Sequence, residues 1–438
     1  MGQHGAPGHD SARTRGDALM AATALPILSF SADLTGAAPH RDLCTDCGVS
    51  RMSNPHRCGQ ACQFINPQHA HLETQVHGRT RDASRGDELF FGPYLAMHRA
   101  RLRRPLDGAQ WTGITTRLSE RLLETGAVDA VIATASDPSD KWKPRPVIIT
   151  RAEDMQQARG MKMGYSPVLA LLEEAKSLGY RRIALHGVAC QVHALRALER
   201  ELGFDALYVI GTPCSDNTTT AKFHDFLALL ADRPEDVTYL EFMPDYHVEL
   251  RFVNGSVKRV PFIQLPIAQL PKDFIPLTCR SCFDYTNALS DITVGYMGGE
   301  GDQWLLVRNA RGAAMLDLLK GEVELSTPGS RGHREKPLKT FVSVLSKQAG
   351  GMPVRRPPKW IKPLIGWAQS TFGPKGLEFA RTRIEMKAAE GIINLRAERP
   401  RRVRRLVPDF AWAVVARYGL TPHAAELPFP AARIERTG

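Results

Sequence analysis

Eight cysteines fall into two groups of four, and any fold of this chain has to gather them. Cys44, Cys47, Cys58 and Cys62 lie in one short stretch, CTDCGVSRMSNPHRCGQAC. Cys190, Cys214, Cys279 and Cys282 are dispersed over GVACQ, GTPCSDN and CRSCFDY. Four thiolates are what a [4Fe–4S] cubane needs, and no cysteine is left over. The pattern announces two one-electron centres. Two other readings stand beside it. Disulfide staples suit small secreted chains, whereas 438 residues can bury a core unaided. Zinc is open for the first group, because Cys44-x-x-Cys47 and Cys58-x-x-x-Cys62 have knuckle-like spacing, although no motif-spaced His completes such a site and His56 only lies nearby. In the second group, Cys190 or Cys214 taken alone also reads as a small buried core residue.

Hydrophobic periodicity supplies the frame. Ala130–Thr134, Val147–Thr150, Arg182–His186 and Ala206–Ile210 read as buried strands. Thr112–Gly126, Val168–Leu178, Val192–Leu202 and Thr218–Leu230 read as helices. This alternation predicts an α/β fold with a parallel sheet. Three short strands follow (237–242, 248–252 and 256–262), with Asn254-Gly255 as a tight hairpin turn, and then strands at 292–296 and 304–308. The expected organisation is a leader over 1–40, an N-terminal iron–sulfur module over 41–90, a central α/β domain over 91–328, a linker over 329–358, and a basic helical C-terminal region over 359–438. The leader is expected to be disordered. Its MAATALPILSF segment mimics a short signal core, but that reading is discounted because candidate cluster ligands begin a few residues later, and Met20 is a second candidate start. No apolar run approaches a membrane span.

No G-x-G-x-x-G follows the first strand, so direct use of NAD(P)H is not expected. The glycines Gly295, Gly298, Gly299 and Gly301 suit a turn or a close backbone approach to a ligand. The net charge is +11, with six arginines in RAERPRRVRR (396–405). That run lacks the interleaved aromatics of a single-strand nucleic-acid surface. A docking face for an acidic electron-transfer protein suits it better, and no nucleic-acid partner is expected.

Three segments carry a family resemblance: GVACQVHALR (187–196), GTPCSDN (211–217) and CRSCFDYTNALSDITVGYMG (279–298). They resemble the beta-subunit family of deazaflavin (coenzyme F420)-dependent hydrogenases and dehydrogenases. QWTGITT (110–116), FMPDY (242–246) and SCFDYTNALSD (281–291) are most similar to its chlorophyll branch. That branch holds ferredoxin-dependent 8-vinyl reductases of divinyl (proto)chlorophyllide and 7-hydroxymethyl chlorophyll a reductases. The likeness covers roughly residues 40–325. It implies FAD and two [4Fe–4S] clusters. Cys190, Cys214, Cys279 and Cys282 would hold the cluster nearer the flavin, and Cys44, Cys47, Cys58 and Cys62 the outer one. The family's flavin contacts map to Thr112, Gly113, Thr115, Lys162, Ser166, Asn287, Asp291 and Gly295. The ten residues between Cys47 and Cys58 depart from the bacterial ferredoxin run.

The expected reaction is reduction of the 8-vinyl group of a divinyl chlorophyllide to ethyl, with 7-hydroxymethyl chlorophyll a reduction or a non-catalytic electron-relay subunit as alternatives. Expected partners are reduced ferredoxin and a chlorophyllide-type tetrapyrrole, with a homo-oligomer left open. The expected location is the bacterial cytoplasm, at or near photosynthetic membranes. His247 and Asp245 are the candidate proton donors. Asp284 with Tyr285 forms a second polar pair. Trp111, Trp142 and Trp304 are candidate walls of a pigment slot, and each is equally a core residue by composition.

Overall fold

The structure is a computed structural model that describes residues 43–243, 245–296, 302–354 and 357–427. The leader over 1–40 and Gly298, Gly299 and Gly301 lie outside the described residues.

Among the described residues, three short α-helices come first: α1 (Arg57–Ala61), α2 (His69–His77) and α3 (Glu88–Phe91). Then come β1 (Ala96–Leu102), α4 (Ile114–Glu124), β2 (Ala130–Asp137), β3 (Asp140–Ile149), α5 (Leu171–Ser177), β4 (Arg182–Gly187), α6 (Ala189–Leu202), β5 (Ala206–Gly211) and α7 (Thr220–Leu230). A meander of β6 (Val237–Phe242), β7 (His247–Phe252) and β8 (Val257–Pro261) leads to α8 (Leu277–Arg280). The central sheet closes with β9 (Ile292–Tyr296), β10 (Gln303–Val307), α9 (Ala310–Asp317) and β11 (Val323–Ser326). Five helices follow: α10 (Glu335–Ala349), α11 (Lys362–Phe372), α12 (Leu377–Glu398), α13 (Pro400–Leu406) and α14 (Asp409–Val415).

The main sheet has eight strands in the order β11-β1-β10-β9-β5-β4-β2-β3. Only its middle, β9-β5-β4-β2, is parallel. The outer pairings are antiparallel, so the all-parallel expectation holds for the centre alone. Connection length decides this. β2 and β3 are joined by a tight turn, which permits only an antiparallel neighbour, while β4 and β5 are separated by a helix. Both faces of the centre are covered. Ile132, Ile183 and Leu185 pack under α5 and α6, and Val131, Ala133 and Ala184 pack with Leu118 and Leu122 of α4. Burial on both faces explains the unbroken apolar runs read from the sequence.

The meander is a separate three-stranded sheet whose apolar face meets α7 and Trp142. Trp142 is therefore core. So is Trp304, which is fully buried with its ring 4.9 Å from that of Phe91. Trp111 alone is half-buried, at a left-handed φ of 54°.

The C-terminal region is not an appended tail. α12 is buried along most of its length, and Ile392, Ile393 and Leu395 pack with Leu43, Phe64 and Phe283. Gly391 is required there, because a Cβ would stand 2.7 Å from the Phe283 ring. Cys62, Cys190 and Cys282 lie against the same cluster. Nor is 329–358 a plain linker: α10 lies within it, anchored by buried Leu338. Arg334, just before α10, pairs with Glu378 (2.6 Å) and Glu385 (3.1 Å) of α12.

Candidate functional site

The first thiol group is built by a strained loop and a short helix. Asp46 has a φ of 44° and Gly48 of 109°. A Cβ on Gly48 would lie 2.4 Å from the Ala170 nitrogen, so only glycine fits. Arg51 clamps the loop from within through a buried ion pair to Asp46 (2.6 Å). The Asp46 N–H donates to the Cys44 sulfur at 3.3 Å. Cys58 sits on α1, and Cys62 caps it. All four thiols line one small cavity, and Cys190 lines it too.

The second group collects where strands end. Cys190 is in the first turn of α6, directly after β4, and Cys214 follows β5. The carboxyl ends of adjacent parallel strands are where α/β sheets bind ligands. Cys279 lies on α8 and Cys282 just beyond it. Cys279, Cys190 and Cys282 are all within electrostatic reach of Cys214. The two groups also touch. Thr45 donates to the Cys190 sulfur (3.4 Å), and the Gln63 amide to that of Cys282 (3.7 Å).

No cysteine is in a disulfide. Burial pushes the Cys44 thiol up to about 11 and the Cys190 thiol to about 12, and raises the other second-group thiols as well. Buried thiols of this kind become thiolates when a metal displaces the proton. Among the described residues no group of three His, Cys, Asp or Glu side chains is close enough to hold a single metal ion. Tetrahedral zinc draws its thiolates to about 2.3 Å from one centre. A cubane spreads them, because each thiolate binds a different iron. Eight soft donors in two adjoining groups fit two clusters.

The flavin candidates divide. Lys162 and Ser166 lie on the segment over the carboxyl ends of β2 and β4. The Ser166 hydroxyl bonds Thr134 (2.9 Å), and its carbonyl accepts from Gln191, next to Cys190 (2.7 Å). Lys162 donates to the carbonyls of Ala158, Arg159 and Gly160, and burial pulls its ammonium down to about 7. Thr112, Gly113 and Thr115 form the start of α4. Thr112 donates to Gln303 (3.0 Å), Gly113 takes a φ of 91°, and the Thr115 carbonyl accepts from Ser119, which bonds His186. Asn287, at φ 57°, donates to the Gly187 carbonyl (2.7 Å), and its buried Oδ1 has no partner among the described residues. That orphaned acceptor at the strand ends fits a bound cofactor with a donor edge.

Two candidates have interior roles instead. Asp291 is fully buried, paired with Arg196 (2.8 Å) and Arg311 (2.9 Å), and accepts from Asn309 and the Val209 N–H. It serves as the buried counter-ion of Arg196 and Arg311. Gly295 gives Pro213 room, since a Cβ would meet that ring at 2.3 Å. Asp284 likewise serves a buried turn, its carboxylate accepting from the Ala288 N–H.

Asp245 and His247 flank Tyr246 at the edge of the meander. The His247 Nδ1 lies 3.3 Å from the Asp245 carboxylate, which also pairs with Arg259. Tyr246 starts an aromatic chain that was not legible in the sequence. Its ring is 5.6 Å from Phe379, Phe379 is 5.2 Å from Tyr296, and Tyr296 is 5.8 Å from Trp111. Arg383 donates a hydrogen bond to the Tyr285 hydroxyl and completes the cluster. The Tyr285 carbonyl accepts from the Cys214 N–H (3.0 Å), which ties the aromatic wall to the second thiol group. α12 supplies Phe379, Arg383 and Lys387. Lys387 is buried between Asp216 (2.7 Å) and Glu390 (3.0 Å) and acts electrostatically on Cys282.

His193 pins the two modules together. Its Nδ1 faces the Ala61 carbonyl (3.1 Å), and its Nε2 faces the Gln68 N–H (3.3 Å). The Gln68 bond needs a neutral ring, and burial holds the imidazole down at about 3. Because this folded value lies below the unfolded one, stability is complete above about pH 6.5 and is lost as the pH falls towards 3. Urea midpoints are expected to drop below pH 6, with a slope of up to about 1.4 kcal/mol per pH unit that His193→Gln removes. An unchanged slope in that variant would deny the pin.

Residues 97–173 match the family described as coenzyme F420 hydrogenase/dehydrogenase, beta subunit N-term, and residues 180–330 match its C terminus. The chain is an oxidoreductase of this α/β class. It belongs to the coenzyme F420 hydrogenase/dehydrogenase beta-subunit family, in the branch that includes 7-hydroxymethyl chlorophyll a reductase. It is 36% identical to the chloroplastic enzyme of that name from Oryza sativa subsp. japonica, over 87% of this chain and 84% of the relative. An uncharacterized protein of Nostoc sp. is 38% identical, over 87% of this chain and 95% of the relative. A solved chain of the F420-reducing [NiFe] hydrogenase complex from Methanosarcina barkeri has a TM-score of 0.49 and 23% identity, over 61% of this chain and 98% of that one.

Proposed function

We propose that this chain is a flavo-iron–sulfur reductase that takes electrons from reduced ferredoxin and reduces the 8-vinyl group of a divinyl chlorophyllide-type pigment to ethyl. The observation that carries the reading is the meeting of two thiol groups at the strand ends, the second of them joined to an aromatic wall. Converting vinyl to ethyl takes two electrons and two protons, and ferredoxin supplies electrons singly. The clusters would supply one-electron transfer and FAD the pairing of two electrons. Cys44, Cys47, Cys58 and Cys62 would hold one cluster, and Cys190, Cys214, Cys279 and Cys282 the other. Lys162, Ser166, Asn287 and the start of α4 would hold the flavin. Trp111, Tyr296, Phe379 and Tyr246 would line the broad apolar slot that a macrocycle needs. His247, held by Asp245, is the proton-bearing group at its edge. The exposed Arg401, Arg402 and Arg405 of α13 suit an acidic donor, and α13 packs in the same cluster as Cys62.

A second reading follows from the similarity to the rice enzyme: the same two electrons and two protons would convert a 7-hydroxymethyl group to methyl and water. Anaerobic assays with reduced ferredoxin and each pigment in turn separate the two. The expected result is loss of the divinyl pigment at a rate that falls as salt rises. Turnover of 7-hydroxymethyl chlorophyll a alone would transfer the assignment to the second reading, and turnover of neither would remove both.

A further inference from the structure

α11 turns an apolar face outward. Trp360 (79% exposed), in the 3-10 turn Lys359–Ile361 that leads into the helix, recurs at helical spacing with Leu364 (60%) and Trp367 (57%), and Phe372 (67%) at the helix end meets the Trp367 ring edge to face at 5.7 Å. The opposite side is docked. Gly366 is buried against Pro261 and Ile263, and a Cβ there would lie 3.3 Å from Pro261. The helix is therefore fixed to the meander while two tryptophans, a leucine and a phenylalanine stand in solvent. Scattered apolar residues are ordinary, but four clustered along one exposed segment mark a contact surface.

Charge says what that surface meets. Residues 336–377 hold no Asp or Glu and eight Lys or Arg. Lys359 and Lys362 flank the first exposed tryptophan. A Trp/Leu/Phe face bordered by cations is the composition of a helix that lies in the headgroup layer of an anionic bilayer. A second copy docking through the same face would bring like charges together. No helix among the described residues is long and apolar enough to cross a membrane, so contact here is lateral.

We propose that α11 with the turn before it is a membrane-surface anchor that inserts Trp360, Leu364, Trp367 and Phe372 into the interface of an anionic lipid bilayer. The anchor leads to the aromatic wall: just beyond Phe372 the Pro374 carbonyl accepts from the Tyr246 hydroxyl, and Tyr246 meets Phe379 edge to face. The anchor itself does not rest on the redox reading.

The test is co-sedimentation of the full chain, without pigment or donor, with phosphatidylglycerol-containing vesicles and with pure phosphatidylcholine vesicles. Binding is expected to the anionic vesicles, with a blue shift of tryptophan emission, and to weaken in about 1 M salt, where screening reaches only about 3 Å. Trp360→Ser and Trp367→Ser are each expected to lower partitioning about tenfold. Lys359→Gln with Lys362→Gln should remove the preference for anionic lipid and leave the aromatic contribution. Both tryptophans are exposed, and an unchanged circular dichroism spectrum checks that the variants fold. No binding to anionic vesicles, or binding indifferent to the tryptophan substitutions, overturns the proposal. A self-associated species in sedimentation velocity that Trp360→Ser with Trp367→Ser dissociates also overturns it, because a second copy would then cover the face.

Discussion

Cys282→Ala is expected to hold about four irons per chain where the parent holds about eight, and to lose ferredoxin-driven pigment reduction altogether. Cys282 is the cleaner of the second-group positions to test. Its sulfur accepts from Gln63 and lies within electrostatic reach of Cys214, and it does not line the cavity of the first four thiols. Cys190 does line that cavity and is bonded by Thr45, so Cys190→Ala is expected to disturb both groups and to cost more than four irons. If these thiols were only small core residues, an Ala would leave a minor cavity, cost on the order of 1 kcal/mol, and spare iron and turnover. Iron analysis and low-temperature electron paramagnetic resonance on anaerobic protein decide the matter. Full iron content in Cys282→Ala refutes the ligand assignment, and tightly held zinc in the parent refutes the cluster at the first group.

What the sequence made legible follows from how local each signal is. The helix at 114–124, the strands at 182–187 and 206–211, and the Asn254-Gly255 turn depend on residues within a few positions of one another. The cysteine groups were legible because ligand number and spacing are themselves the signal. The edges of the sheet were not, because β1 pairs with β10 across two hundred residues, and nothing local to Ala96 specifies Val307. The ion pairing of Asp291 was not legible for a related reason. Its neighbours in sequence resemble a family motif, while its role is set by Arg196 and Arg311, which arrive from other helices. Trp142 and Trp304 show the same dependence, since packing against Phe223 and Phe91 makes them core.

The C-terminal region was legible as helical and basic, but the burial of α12 was not. Its apolar residues run around the whole helix instead of forming one stripe, and basic residues are spread among them, so no single core-facing side shows in the sequence. Burial disfavours the charge of Lys387, yet Asp216 and Glu390 outweigh this and hold the ammonium protonated, above its usual range. Asp216 lies two residues beyond Cys214, so the pair ties the C-terminal helix to the second thiol group. Lys387→Met should strand both carboxylates. Removing one partner of a fully buried pair costs about 3–5 kcal/mol, but Asp216 and Glu390 are 29% and 22% exposed, so about 2 kcal/mol is expected in urea unfolding. A positive charge beside Cys282 also favours the more negative, reduced state of any cluster bound there. Its loss is expected to shift the potential of that cluster downward by tens of millivolts, on the order of 1 kcal/mol of electrostatic energy. A merely structural lysine would change the unfolding midpoint and leave the potential alone. Redox titration of Lys387→Met, followed by electron paramagnetic resonance, tells the two apart: an unmoved potential in a folded, iron-replete variant removes the electrostatic role and leaves only the tether.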